Sequence, residues 1–489
     1  MYSAWIMDHL GTILTAALAL YALGTGAFLI LENRRPQATL AWMLAFIFAP
    51  GIGLLAYMLF GRDRKAFSKQ SELLRQDLET NALPLLNPML SRQDAEIARL
   101  ERASTGRRKL MRLVRHNSYS ALTKRNCVEI QQDAAVFYPS LIRDMESAQH
   151  SIHLQYFIWG VDPFTDGLKG IMKRKAKAGV EVRLLYDPIG SQAHIGRAYV
   201  RDMRAAGIRM APTSPLYRFH TISYRNHRKI TVIDGAIGYT GGMNIGQEHI
   251  DGGQGFDSWR DTQVRIVGES VALLQTVFMV DWYNAVKENL FAAAYFPADA
   301  MACSTGDVPV QILTSGPDSQ WAGIRQLYSF MIVSAQRHVR IQSPYFIPDA
   351  TLAEALKTAA LSGVDIKIML TARPSGNRLP DWAGNTYIAD IVASGVRVFL
   401  YEKGYLHAKT ISIDSEICSI GSTNIDIRSF SINYELNAVL YDEQLAKQLE
   451  QDFERDLTHC SEFDRTSYEK RNVAVRFRDS VARLLSPLL

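Results

Sequence analysis

The feature that most constrains this chain is an internal duplication. Its densest stretch occurs twice, as His227-Arg-Lys229-Ile-Thr-Val-Ile-Asp234 and as His407-Ala-Lys409-Thr-Ile-Ser-Ile-Asp414. A Gly-x-x-Asn element follows each copy and ends at Asn244 or Asn424. His227 and His407 are much farther apart in the sequence than the length of one repeat in a solenoid protein. A repeat of this length indicates two similar domains packed together rather than a solenoid of short units.

The pattern around these motifs predicts an α/β fold. In each copy a strand-like run, a polar–apolar helical stretch and a second strand-like run follow one another. The two strand-like runs are Ser147–Ile158 and Glu181–Tyr186 in the first copy, and Ser334–Ile347 and Asp365–Leu370 in the second. Strand, helix and strand in this order are typical of a parallel βαβ unit. With 47% hydrophobic and 21% charged residues, the chain is also neither disordered nor fibrous.

The residue types of the motif fit attack on a phosphodiester. Side chains two residues apart on a strand point the same way, so His227 and Lys229 share one face. The lysine can hold the non-bridging oxygens while the histidine supplies a nucleophilic nitrogen. Two facing copies, with His407 and Lys409 in the second, then provide a nucleophile and a general acid.

Further polar residues complete this predicted site. Asn244 and Asn424 can donate amide N–H groups to the same phosphate oxygens. Asp261 follows His227 in the first copy, and Glu435 follows His407 in the second. Each carboxylate opens an apolar strand-like run, and we predict that the two orient the catalytic histidines. No His or Cys stands at zinc-like spacing from either histidine, so neither a metal nor a cofactor is predicted.

The N-terminus predicts a membrane hairpin. Leu10–Leu31 and Thr39–Phe60 are long runs without a charge, separated by a short polar turn. About 20 apolar residues suffice to span a bilayer, and a membrane helix tolerates Pro50 and Gly51. The alternative, a pair of buried core helices, is uncommon for uncharged runs of this length.

The charge is unevenly distributed along the chain. Residues 1–125 carry 17 Lys or Arg against 9 Asp or Glu, a net charge of +8, whereas the rest of the chain carries −3. The cations that follow the second run place the catalytic domains on the cytoplasmic side by the positive-inside rule. The basic helical stretch Arg107–Arg115 either lies on anionic lipid or is a solvated surface helix. Phe477–Leu485 is a second amphipathic stretch that contacts either a membrane or the protein core.

The four cysteines stand far apart in the sequence, at 127, 303, 418 and 460. None forms a Cys-x-x-Cys pair, so zinc-ribbon and thioredoxin-like chemistry find no support. We therefore expect each cysteine to behave as a small hydrophobic residue in a reducing compartment.

These motifs resemble the phospholipase D superfamily over roughly residues 125–489. The N-terminal runs, with Arg34-Arg35-Pro36 and Phe60-Gly61-Arg62, are similar to those of bacterial cardiolipin synthases, as are Pro344–Pro348, Thr240–Gly246 and Leu484–Leu489. The resemblance implies two pseudo-symmetric phospholipase D-like domains that share one active site. The domain boundaries it suggests are a hairpin over 1–61, a basic membrane-proximal linker over 62–125, and catalytic domains over 126–300 and 301–489.

The resemblance also implies a reaction. One histidine, usually that of the N-terminal half and hence His227, attacks the phosphorus of phosphatidylglycerol and forms a phosphatidyl-histidine. His407 protonates the departing glycerol and then activates a second phosphatidylglycerol, which yields cardiolipin. Family members use the motif residues Asp234 and Asp414 mainly for structure. Ser422 joins the asparagines as a phosphate ligand, and Gly242 stands at the matching position of the first copy.

The implied setting is the bacterial cytoplasmic (inner) membrane, with a multi-pass anchor and anionic lipids as partners. The oligomeric state stays open, with a homo-oligomer as one option. Three other readings compete. A nuclease would carry its positive charge around the catalytic body, which is negative here, so nucleic acid is not expected. A hydrolytic phospholipase D differs only in that water accepts the phosphatidyl group. A membrane scaffold would not need two full motifs.

Overall fold

The computed structural model describes residues 2–32, 36–61, 87, 91, 105–118, 120–191, 195–214, 223–253, 255–297, 303, 306–373, 376 and 378–486. The chain divides into two compact units. The first comprises Met1–Ala66 with Tyr217–Ser223, and the second comprises Phe67–Leu216 with Tyr224–Leu489. Arg34, Arg35, Arg62, Tyr217 and most of the predicted linker 62–125 lie outside the described residues.

Three helices form the described part of the first unit: α1 (Tyr2–Leu31), α2 (Pro36–Phe48) and α3 (Pro50–Phe60). The second uncharged run is therefore two helices that break at Ala49, since a proline cannot donate to the preceding turn. The Tyr21 hydroxyl donates to the Pro50 carbonyl oxygen at 3.1 Å. A side chain at Gly53 would collide with the Ala45 carbonyl, so only glycine allows α3 to approach α2 this closely.

Within the described residues, none of the helices has the length and apolar character needed to cross a membrane. The hairpin of two spans over 1–61 therefore stays a prediction.

The first half of the second unit is a seven-stranded sheet flanked by helices. Its sheet has the order β2-β9-β7-β6-β3-β4-β5. The elements of this half are β2 (Asn126–Gln132), α5 (Asp133–Ser147), β3 (Ser151–Tyr156), α6 (Pro163–Lys177), β4 (Glu181–Tyr186), α7 (Arg197–Ala205), β5 (Arg209–Pro212), β6 (Ile230–Ile233), β7 (Ile237–Gly241), α8 (Glu248–Asp251), β8 (Trp259–Arg260), β9 (Thr262–Gly268) and α9 (Ser270–Val286).

The second half is built on a nine-stranded sheet of order β1-β10-β19-β17-β16-β11-β13-β14-β20. Two of its elements come early in the chain, α4 (Thr105–Ser118) and β1 (Leu122–Thr123). The others are β10 (Val310–Ser315), α10 (Gly323–Ser334), β11 (His338–Gln342), β12 (Phe346–Ile347), α11 (Ala350–Leu361), β13 (Asp365–Thr371), α12 (Leu379–Val392), β14 (Arg397–Tyr401), β15 (Tyr405–Leu406), β16 (Thr410–Ile413), β17 (Ile417–Gly421), β18 (Ile425–Asp426), α13 (Ile427–Ser431), β19 (Glu435–Leu440), α14 (Glu443–Leu457), β20 (Cys460–Glu462), α15 (Arg465–Glu469) and α16 (Val473–Leu484).

The two sheets repeat one topology, as the duplication predicts. Without its edge strands β1 and β20, the second sheet has the strand order of the first, element for element. Strands β3 and β4 pair in parallel around α6, and β11 and β13 do so around α11, which confirms the predicted βαβ units. The motif strands β6 and β16 are buried on both faces, and their β-branched residues suit this position.

Three large hydrophobic layers form the core of the two halves. One outer layer packs α5 and α6 on the first sheet, and another packs α10 and α11 on the second. The central layer draws on both sheets, with Ile230 and Val264 from the first and Ile420 and Leu436 from the second. The two sheets therefore share a core, which brings the two motif strands towards one another.

The basic stretch within 107–115 forms a surface helix whose apolar face packs on the protein. In helix α4 the side chains of Leu110, Met111 and Val114 are fully buried in the core of the second half. Arg107 also pairs with Glu416 and Glu443, each at 3.1 Å. The apolar face of the helix therefore docks on the second catalytic sheet, while Lys109 and Arg112 stay exposed, and lipid contact of these cations stays a prediction.

The expectation for the cysteines is wrong for two of the four. Cys127 and Cys303 form a disulfide with a Cα–Cα distance of 5.8 Å. Cys418 is buried and free, and Cys460 is half-buried and free. The disulfide joins two positions that are 176 apart in the sequence, and sequence spacing alone cannot reveal such a pairing.

Candidate active site

The backbone of each motif histidine is held by the opposite half. The His227 N–H donates to the Tyr434 carbonyl oxygen at 2.9 Å, and the His407 N–H donates to the Arg260 carbonyl oxygen at 2.7 Å. Strand β15, just before His407, pairs in parallel with β8 of the first half. The two segments that carry the histidines are thus fixed by contacts between the copies.

Each imidazole ring is likewise held by a side chain of the opposite half. Nδ1 of His227 lies 3.1 Å from Oε2 of Glu435, and Nδ1 of His407 lies 2.6 Å from Oδ2 of Asp261. Each carboxylate therefore contacts the histidine of the other copy, a pairing that the sequence left open. Since an ionised carboxylate only accepts hydrogen bonds, each Nδ1 carries the proton and each Nε2 keeps its lone pair.

Two buried lysines complete the centre. Lys229 and Lys409 are almost fully buried, and each donates from Nζ to the carbonyl oxygen of the motif histidine two residues before it. Burial lowers the pKa of Lys229 to about 7 and that of Lys409 to about 8, against the opposing effect of the nearby carboxylates. An incoming phosphate anion would favour the charged form of both lysines.

Burial also sets the protonation of the acid–base groups. It lowers the pKa of His227, and with Lys409 and Lys229 it holds the pKa of His407 well below the ordinary value. Burial raises the pKa of Asp261, whereas His227 and Lys229 outweigh burial and keep the pKa of Glu435 low. Both imidazoles are therefore neutral near pH 7, as a nucleophile or general base must be.

The predicted phosphate ligands differ in their contacts. Asn244 and Asn424 are buried, and Asn244 accepts from the Ile158 N–H at 3.2 Å. Oδ1 of Asn424 has no partner in the described part of the structure. Ser422 donates from its hydroxyl to Glu435, and its part as a phosphate ligand stays a prediction.

Gly242 has a steric reason for its difference from Ser422. A Cβ atom at position 242 would collide with the Asp261 carboxylate, which lies directly against the glycine. The shorter Asp261 therefore pairs with a glycine, and the longer Glu435 pairs with a serine. The two histidine sites therefore share one arrangement, but Glu435 has a hydroxyl donor at this position and Asp261 has none.

Comparisons with known proteins agree with this geometry. Residues 141–282 and 328–457 match the family described as cardiolipin synthase, phospholipase D-like domain, which covers more than half of the chain. Residues 17–62 match the family described as phospholipase D-nuclease N-terminal. The chain belongs to the cardiolipin synthase family.

Curated members of the cardiolipin synthase family align along almost the whole chain. The cardiolipin synthase of Oceanobacillus iheyensis is 36% identical, with 95% of this chain and 96% of the relative covered. That of Geobacillus thermodenitrificans is 38% identical over 95% of this chain and 91% of the relative. The major cardiolipin synthase of Bacillus subtilis is 37% identical over 94% of this chain and 95% of the relative.

A solved structure supports the fold. The phosphatidylserine synthase of Haemophilus influenzae superposes with a TM-score of 0.60, covering 78% of this chain and all of that one. At 14% sequence identity, this similarity concerns the fold alone.

The motif aspartates of this cardiolipin synthase family member lie away from the reacting groups. Asp234 follows the end of β6 opposite to His227, and its carboxylate accepts from the backbone N–H groups of Gln149, His150 and Ser151 at 2.7–2.8 Å. Asp414 does the same for residues 336–338 in the second half. Each aspartate therefore ties a loop to the start of a central strand, and a catalytic role for either stays a prediction.

Sequence reasoning missed a buried network behind His227. Nη1 of Arg228 lies 2.8 Å from both carboxylate oxygens of Asp281, and Nδ2 of Asn226 donates to the same carboxylate at 2.9 Å. Asp281 lies within helix α9, which follows the motif only after three further strands. The one signal in the sequence is that Arg228 stands between His227 and Lys229, since an arginine buried beside the site needs an acidic partner.

His249 is a second missed residue, close to His407. Its ring packs edge-on against Trp259 with 4.7 Å between the ring centroids, and lies 6.5 Å from the ring of His407. Both ring nitrogens are buried and have no hydrogen-bond partner among the described residues. Burial, and then the nearby His407, lower its pKa to about 3, so it stays neutral at physiological pH.

Proposed function

We propose that this chain is a phosphatidyltransferase that makes cardiolipin and glycerol from two molecules of phosphatidylglycerol. The observation that carries the proposal is the pair of neutral imidazoles, each bound through Nδ1 to a carboxylate of the other half and each beside a buried lysine. The names of the relatives that align over nearly the whole chain support the same reaction.

The first step forms a covalent intermediate. Nε2 of His227 attacks the phosphorus of the donor phosphatidylglycerol, so a P–N bond forms as the P–O bond to the glycerol headgroup breaks. The bound phosphate anion favours the charged form of His407, which is then protonated at Nε2 and gives that proton to the departing glycerol oxygen. Lys229, Lys409, Asn244 and Asn424 hold the non-bridging oxygens, on which negative charge increases.

The second step regenerates the enzyme. His407, now neutral, takes the proton from a headgroup hydroxyl of a second phosphatidylglycerol. That oxygen attacks the phosphorus, the P–N bond to His227 breaks, and cardiolipin leaves. One P–O ester bond breaks in the first step and one forms in the second, so a diester is exchanged for a diester overall and the reaction needs no external energy source or redox partner.

Purified protein in vesicles that contain phosphatidylglycerol as the sole lipid should test the reaction directly. We expect cardiolipin and glycerol in equal amounts, measured by mass spectrometry and an enzymatic glycerol assay. If phosphatidic acid were the main product, water would be the acceptor and the protein would be a hydrolytic phospholipase D.

We also propose that the N-terminal unit anchors the enzyme in the bacterial cytoplasmic membrane, with both catalytic domains on the cytoplasmic side. The match of residues 17–62 and the two uncharged runs support an anchor, and the cations after the second run support this orientation. Added protease should digest the catalytic domains in inside-out vesicles and spare them in right-side-out vesicles. The reverse pattern would place them outside.

A further inference from the structure

The C-terminal helix α16 exposes an apolar stripe. Val473, Phe477, Val481 and Leu484 are 77%, 69%, 42% and 78% exposed. Their spacing of four, four and three residues places them along one face of the helix. Single exposed apolar residues are ordinary, but four in a row on one helix make a continuous patch that marks an interaction surface.

The opposite face of α16 is fixed to the protein. Asp479 and Ala482 are buried, and Nδ2 of Asn385 in α12 donates to Asp479 at 3.1 Å. Ala482 packs in a small cluster with Ile347 and Ala383. The stripe therefore faces outward because the other side of the helix is held, and turning it inward would expose these buried groups.

Cations flank the stripe. Residues 470–484 contain five Lys or Arg and a single acidic residue, Asp479, which Arg478 already contacts at 2.6 Å. Arg476 and Arg483 are exposed along one edge of the stripe, with Arg483 over the ring of Tyr387, and Arg478 stands on the other edge, over the ring of Trp382. Residues 126–489 as a whole are net negative, so this concentration of positive charge is local.

We propose that α16 is a docking surface for an anionic lipid bilayer and lies in the membrane interface. A bilayer supplies acyl chains for the stripe and phosphate groups for the arginines, which is the pairing that interfacial helices use. The inference rests on the proposed function only in that the substrate is a lipid. It adds a second attachment besides the N-terminus, on the catalytic unit itself.

The position of α16 connects it to the candidate active site. Helix α12, on which it docks, packs against β12, and Ile347 of β12 pairs with Asp426 of β18. Asp426 follows Asn424, one of the proposed phosphate ligands, by two residues. A helix seated in the interface would thus hold that edge of the site near the headgroups of the lipid substrate.

Photocrosslinking in the full chain tests which molecule covers the stripe. The variant Phe477→benzoylphenylalanine is reconstituted in vesicles of phosphatidylglycerol and phosphatidylcholine and irradiated. Its adducts are then identified by mass spectrometry. We expect a phospholipid adduct, and none from Leu361→benzoylphenylalanine, whose parent residue is 75% exposed on α11. An adduct with a second copy, an adduct with the N-terminal helices, or no adduct would overturn the proposal.

Activity on two forms of one substrate separates docking from catalysis. Phe477→Ser combined with Val481→Ser should lower cardiolipin synthesis from vesicles about tenfold. The same variant should keep wild-type activity towards short-chain phosphatidylglycerol dissolved as monomers. The control, Val333→Ser combined with Leu361→Ser, removes exposed apolar residues elsewhere and should change neither rate. Equal losses on both substrates would contradict docking, whereas no activity of the wild type on either would contradict the proposed function instead.

Discussion

Replacing His227 or His407 with alanine is expected to lower cardiolipin synthesis by about 10⁴-fold or more, because each variant lacks a group that bonds to phosphorus or moves a proton. Both side chains are nearly buried at the shared site, but neither contributes to the hydrophobic layers. We therefore expect both variants to fold, with unfolding midpoints close to that of the wild type. Retained synthesis in either variant would contradict the proposed mechanism.

An activated substrate should tell the two histidines apart. A phosphatidyl ester of p-nitrophenol has a leaving group that needs no proton, so the first step no longer depends on a general acid. His407→Ala should then release one equivalent of p-nitrophenol per enzyme and stop as the phosphatidyl-histidine. His227→Ala should release none. A burst from His227→Ala and not from His407→Ala would reverse the assignment of the nucleophile.

Asp234→Asn is the matched control within the same motif. The carboxylate of Asp234 binds only the backbone of residues 149–151 in the described structure, at the other end of β6. Its replacement weakens charge-assisted hydrogen bonds, so we expect a loss of about 1–2 kcal/mol in the free energy of unfolding. Turnover per folded molecule should stay near that of the wild type.

Most of the fold could be predicted from the duplication, because a repeat constrains long-range structure. Two copies with the same order of strand-like runs predict two sheets of one topology, and the buried β-branched residues of β6 and β16 agree with it. The local pattern also indicated which residues carry the chemistry. Spacing within a copy, however, cannot indicate which copy supplies the partner of a side chain.

The features that the sequence did not predict all depend on contacts between distant segments. The exchange of carboxylates accompanies two backbone pairings between the halves, Asn226 with Tyr434 and β8 with β15, and neither has a local sequence pattern. Helix α4 is basic and amphipathic like a lipid-binding helix, but the core of the second half takes up its apolar face. The disulfide likewise joins the first strand of one sheet to residue 303, just before the other half.

The exchange of carboxylates makes a second prediction with a large effect. Glu435→Gln and Asp261→Asn should each lower kcat by about 10³–10⁴-fold. An amide no longer fixes the proton on Nδ1, so the imidazole can adopt the other tautomer, in which Nε2 carries the proton and has no free lone pair. Glu450→Gln is the matched control. Glu450 lies 3.1 Å from His338, a histidine–carboxylate pair that includes neither motif histidine, so kcat should not change.

The phenotype of each carboxylate variant should follow the histidine of the other copy. With the p-nitrophenyl substrate, Asp261→Asn should behave like His407→Ala and release one equivalent before stopping, since Asp261 binds His407. Glu435→Gln should behave like His227→Ala and show no burst, since Glu435 binds His227. If each carboxylate served the histidine of its own copy, the two phenotypes would be exchanged. Because the variants differ only in which step fails, the burst tests the pairing separately from the overall loss of activity.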